Sequence, residues 1–161
     1  MIRGLLFRVL VVGALAVAVI GITGAMAFAR VTSGNLFAAN MDGSQVVPPP
    51  GDPDGTGTAL LPTNAREFEI CYDIDTENLE LPLDAGIVYE KQGEFGQVVI
   101  ELFQNSMDPD PGGPGVCLTV SGQTGKDALR DMLNNPQDYF LQISDSDNGD
   151  GAIRGDLERL R

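Results

Sequence analysis

In the run REFEICYDID, residues 66–75, the apolar side chains Phe68, Ile70, Tyr72 and Ile74 alternate with Glu67, Glu69, Cys71 and Asp73. A period of two places the first set on one face of a β-strand and the second on the other, so the run must bury one face against a partner layer. Short segments of this kind recur near Leu36 to Asn40, Gly57 to Leu61, Glu67 to Ile74, Ala85 to Tyr89, Gln97 to Phe103, Val116 to Val120, Tyr139 to Ser144 and Ala152 to Leu157. The intervening PPPGDPDGTG and DPDPGGPG cannot continue a hydrogen-bonded ladder and are loops. One segment breaks the period of two. In TGKDALRDMLNNP, Ala128, Leu129, Met132 and Leu133 recur at helical spacing, Asn134 and Asn135 can cap the end, and Pro136 stops it. Eight short strands and one short helix predict an all-β chain. The expected form is a two-layer antiparallel β-sandwich, immunoglobulin-like or superoxide-dismutase-like in architecture, with the helix over an edge or an open end.

The first 29 residues have a different character. Arg3 and Arg8 flank an apolar run that includes Leu10, Val11, Val12, Leu15, Val17, Val19 and Ile20, and Ala27-Phe28-Ala29 supplies small residues at the spacing that signal peptidase reads. Residues 1–29 are therefore expected to be a signal peptide cut after Ala29, or an uncleaved anchor, since Val9 to Phe28 is about long enough to span a bilayer. Either way residues 30–161 form one domain delivered outside the cytoplasm, secreted or held in the cell envelope. A membrane is a partner only if the segment stays uncleaved. Of the 10 basic residues the segment holds two and of the 23 acids none, so the remainder carries 8 basic against 23 acidic side chains, formally −15. That charge repels phosphate backbones, and nucleic acid is excluded as a partner.

Cys71 and Cys117 are the two cysteines of an exported chain, where disulfides persist. Cys71 shares the polar face of its strand. In GVCLTV, Val116, Leu118 and Val120 form the apolar face, and Cys117 again takes the other. Export, even number and matching faces predict a Cys71 to Cys117 bridge.

The stretch DSDNGDGAIRGDL, residues 145–157, carries two familiar signals. Aligned as an EF-hand loop on Gly151 and Ile153, its ligands would be Ser146, Asn148, Asp150 and Leu157, so the bidentate acid of the last position is missing. A weaker calcium contact through Asp145, Asp147 and Asp150 is the remaining metal candidate. Arg154-Gly155-Asp156 is an adhesion tripeptide only on a mobile loop tip, whereas GAIRGDL alternates as a strand with Gly155 on the apolar face.

The segments MDGSQVVPPPGDPDGTGTALL, DAGIVYEKQGEFGQVVIEL, ALRDMLNNPQDYFLQIS and GAIRGDL stand in an order and spacing that resembles the CHRD domain, named for chordin and also found in secreted bacterial proteins. The resemblance implies an extracellular β-sandwich that sometimes binds proteins, and it implies no reaction. The family typically carries A-H-I-H where this chain has Ala85-Gly86-Ile87-Val88, and a further histidine at Ser144. Histidines at Gly86, Val88 and Ser144 could together form a transition-metal site. This chain has no histidine at all, so that site is lost and histidine-based catalysis is unavailable.

The expected function is that of a non-enzymatic binding or structural module with no catalytic residues, no cofactor and an unknown protein or cell-envelope partner. The alternatives are a calcium-binding envelope protein using its acidic loops, and an enzyme derived from a metal-using ancestor with acids clustered around Asp84, Glu90 and Asp145. N-terminal sequencing of the natural product is expected to read from Arg30. A membrane-bound form retaining Met1 would show the apolar segment to be an anchor.

Overall fold

The computed structural model describes residues 35–160 apart from 49 and 92–95, so the expected signal and its cleavage site lie outside the described residues. Among the described residues no helix is long and apolar enough to cross a membrane. The strands run β1 Asn35–Asp42, β2 Thr56–Asn64, β3 Glu69–Glu77, β4 Leu83–Tyr89, β5 Gln97–Ser106 and β6 Gly112–Thr119. A helix, α1 Gln123–Met132, then leads through a 3-10 turn at Pro136–Asp138 to β7 Tyr139–Ser144, β8 Ile153–Asp156 and the short β9 Glu158–Leu160.

Every expected strand is present, and all pair antiparallel in the order β5-β4-β7-β8-β1-β2-β3-β6, with β9 also on β1. The result is sandwich-like, but its two halves are one continuous sheet that curls over itself. β1 is the seam: it pairs with β2 along its whole length, with β9 at one end, and with β8 through Asp42 and Arg154 at the other. The inward sets of both halves meet in a single core in which Phe37, Leu61, Ile70, Ile87, Leu141 and Ile153 are all 0 % exposed.

Helix α1 closes the open side between the outermost strands. Ala128, Leu129 and Met132 point into the core, as their spacing requires, and Gly125 lets the helix come so close that an added Cβ would lie 2.8 Å from Val120. Its basic side is pinned to the β2–β3 turn, where the Lys126 ammonium and the Arg130 guanidinium lie 5.0 and 4.6 Å from the centre of the Phe68 ring. Such contacts contribute about 0.5–1 kcal/mol each at exposed sites.

Four local expectations are corrected. Gly112, Gly113 and Gly115, expected in a loop, belong to the bulged start of β6, and Gly112 pairs with Asp73 of β3. Residues 67–68 belong to the turn rather than to β3: the turn holds no glycine, so Phe68 itself takes the left-handed conformation, at φ 54°. That conformation costs an L-residue about 1–2 kcal/mol, which the two cations over the ring help to offset. Strand β2 continues through Pro62, which the alternation alone would make a stop. The β2–β3 ladder skips Leu61 and Pro62, so the missing N–H leaves no bond unmade there. Val116 is exposed although the alternation directs it inward, because edge strand β6 bulges away at that point.

The bulge is large. Cys71 pairs with Cys117 while Asp73 pairs with Gly112, so two steps along β3 correspond to five along β6. Gly112, at φ 113°, turns the chain beside Tyr72, whose carbonyl oxygen would lie 2.5 Å from any Cβ added there. The Cys71–Cys117 disulfide crosses directly between the paired residues, with Cα atoms 3.9 Å apart, and fastens β6 where its own ladder fails. It sits on the outer face, as the matching polar faces predict. Closing a loop of 46 residues stabilises the fold by about 4 kcal/mol in the chain-entropy model. The double variant Cys71→Ala, Cys117→Ala is therefore expected to lose about 2–4 kcal/mol in urea unfolding. A variant as stable as the parent would show that the ladder alone holds β6.

Candidate functional site

The three positions at which the family resemblance places histidines lie on one outer sheet face. On β4, Leu83, Ala85 and Ile87 point into the core, so Gly86 and Val88 point outward, and Ser144 lies outward on the neighbouring β7. All three line a cleft of about 110 Å³ together with Val98, Glu101 and Gln142. They do not form a tight three-point constellation. Gly86 is opposite Gln142 and Val88 opposite Phe140, so Ser144 is diagonal to Gly86 but about 13 Å along the ladder from the Val88 register. The cleft is also partly filled. A Cβ on Gly86 would meet a Val98 methyl at 2.8 Å and the Ile100 carbonyl oxygen at 3.1 Å. Val88, though outward, is 3 % exposed.

The acids nearest this cleft are committed to local structure. Asp84 accepts a 2.6 Å hydrogen bond from the backbone N–H of Asn105, and Glu101 accepts one of 2.7 Å from the Gln104 amide. Asp84 stands near the start of β4 and Glu90 just past its end, six residues and therefore about 20 Å apart. Asp84, Glu90 and Asp145 accordingly form no cluster. Tyr139 is equally unsuited to proton abstraction: burial, and its hydrogen bond of 2.9 Å to Asp131, push its pKa up and keep the phenol neutral.

The calcium candidates are not brought together either. Asp145 is 5 % exposed, and its Oδ1 accepts hydrogen bonds from the backbone N–H groups of Asp147 and Asn148 and from the Asn148 amide, while Oδ2 accepts from the Glu80 N–H. It organises the loop between β7 and β8, and its lone pairs are engaged in doing so. Asp147 and Asp150 are exposed. Leu157, which the EF-hand alignment puts at the bidentate position, is a core residue. Among the described residues, the group with three possible ligand atoms within 4.8 Å is Glu69, Cys71 and Cys117. The disulfide removes both thiolates from it.

The Arg-Gly-Asp tripeptide is part of strand β8. Gly155 faces Asn40 so closely that a Cβ would stand 2.3 Å from its carbonyl oxygen. Arg154 is 9 % exposed; its guanidinium lies over the Phe140 ring at 3.2 Å from the centre, and its Nη1 is 3.0 Å from Glu90 Oε2. Nη1 makes no well-aligned hydrogen bond, so this is an ion pair seated on an aromatic face. The sequence placed Arg154 outward in a strand, but its partner Glu90 lies 64 residues away, just past the end of β4, and nothing local could reveal it. Removing one member of a buried pair leaves the other charge uncompensated, at a cost of about 3–5 kcal/mol.

The family model described as CHRD domain matches residues 37–157, well over half of the chain. No curated protein and no solved structure matches. The close approach of Val98 makes one outcome specific to this cleft. Gly86→His is expected to lower stability by about 1–3 kcal/mol, the usual cost of overpacking, and Val98→Ala to recover most of it. Thermal melts of the single and double variants measure both. A Gly86→His chain as stable as the parent would show the cleft to be open.

Proposed function

The chain belongs to the CHRD domain family, and from that premise we propose that it is an exported, non-enzymatic module that binds a protein or cell-envelope partner. The observation that carries the export half is the Cys71–Cys117 disulfide across β3 and β6, because such bonds persist in oxidising compartments and are rare in the cytosol. The apolar N-terminal stretch of the sequence points the same way. The binding half is supported by how the side chains capable of chemistry are used. Asp84, Glu90, Asp145, Arg154 and Tyr139 are each tied to a turn, a ring or a partner strand. The cleft at Gly86, Val88 and Ser144, at about 110 Å³, is small for the pocket of convergent polar groups that usually marks a catalytic site.

The rival reading, a calcium-binding envelope protein, requires a rise in melting temperature on adding calcium. The engagement of Asp145 with four N–H donors argues against it.

The exported protein, immobilised, is expected to retain envelope or medium protein saturably and to lose it to free competitor, while panels of ester, glycoside and phosphoester substrates turn over no faster than in its absence. Turnover abolished by Asp84→Asn or Glu101→Gln would replace the module with an enzyme. A calcium-dependent gain of several degrees would favour the rival.

A further inference from the structure

The outer face of β9, β1, β2 and β3 carries a pattern that the core does not require. Residues opposite each other in an antiparallel ladder share a face, and here the rows read Leu160, Leu36, Pro62, then Glu158, Ala38, Leu60, Asp73, then Asn40, Thr58, Asp75. Their neighbours Phe37, Ala39, Ala59 and Leu61 fill the core on the other side. Leu60 and Leu160 are 39 % and 44 % exposed. Beside this apolar strip runs a rail of carboxylates, Asp73, Asp75 and Glu77, at alternate positions of β3 and so about 6.6 Å apart.

Nothing on these strands neutralises the rail. β1, β2 and β3 contain no lysine or arginine, and Arg159 of β9, opposite the core residue Phe37, is turned to the Leu133 carbonyl and Asn35. The ion pairs among the described residues, Arg130 with Asp127 and Arg154 with Glu90, are elsewhere. Two hollows of about 210 and 600 Å³ share Thr58 and Asp75 and run together into one trough along β2 and β3, past Leu60 at one end and Asp110 at the other. A single cation cannot use the rail, because its carboxylates form no group within ligand distance.

The geometry points to this trough as the docking site for an extended lysine- or arginine-rich segment of a protein partner, an inference that rests on the binding-module reading and names its surface. An extended chain repeats its side chains on one side every two residues, at the spacing of the rail. The aliphatic stems of lysine and arginine would lie over Ala38 and Leu60 while their charged heads reach Asp73, Asp75 and Glu77. Charge complementarity of this kind sets partner choice and speeds encounter.

The probe is a synthetic Lys-Thr alternating octapeptide, titrated calorimetrically into the exported protein at low salt. Saturable one-to-one binding is expected. The triple variant Asp73→Asn, Asp75→Asn, Glu77→Gln is expected to weaken it about tenfold or more, and Leu60→Ser about threefold. Glu101→Gln, Asp147→Asn, Asp156→Asn removes the same charge elsewhere and is expected to change affinity less than about twofold. Equal loss from both triples would reduce the effect to net charge and overturn the inference, as would an absence of saturable binding. Parallel melts confirm that each variant is folded. The wider reading fails separately: if the immobilised rail variant retains the natural partner as well as the parent does, the module stands and the trough falls. If neither retains protein and a substrate turns over, the module itself falls.

Discussion

Strand β1 is the constraint on which the rest of the structure depends. The sheet has two halves, β5-β4-β7-β8 and β1-β2-β3-β6, and they are continuous because β1 accepts β2 on one edge and β8 and β9 on the other. The curl at this seam brings the two inward faces together and makes one core from strands far apart in sequence. It also explains the glycine of the Arg-Gly-Asp tripeptide. The backbones of β1 and β8 cross so closely at Asn40 that residue 155 can have no side chain. A sequence that looks like an adhesion signal is thus part of a packing contact.

The seam divides the outside of the molecule as well as joining its inside. On the β4-β7-β8 half, the outward residues are folded into the protein itself: Val88 and Phe140 are buried, Arg154 lies on the Phe140 ring, and Glu90 closes the pair. On the β1-β2-β3 half, exposed Leu60 and the carboxylates of β3 meet no such cover among the described residues. The first face has consumed its chemistry in stability. The second keeps its charge and part of its apolar surface exposed.

Much of this was legible locally. Period-two alternation located the strands, the break to helical spacing located α1, and matching faces paired Cys71 with Cys117. The errors have physical causes. Phe68 adopts a left-handed turn that pattern alone assigns to glycine, and it is held there by Lys126 and Arg130 from a distant helix. Pro62 sits inside a strand because the ladder lapses beside it. Nor was the local role of Asp145 legible: its oxygens accept hydrogen bonds from N–H groups of its own loop and from Glu80, 65 residues away.

By itself the sequence determined the all-β class, the approximate positions of the strands, the pairing of the cysteines and the absence of any imidazole. These follow from side-chain periodicity and composition, which act over a few residues and need no knowledge of what lies opposite. Only the tertiary structure decided which strands are neighbours, that Arg154 pairs with Glu90 over Phe140, that Val98 fills the space beside Gly86, and that Leu60 shares a face with Asp73 and Asp75. Register and curl set those meetings, and both arise from burying the inward faces of all the strands at once, a condition that no single segment carries.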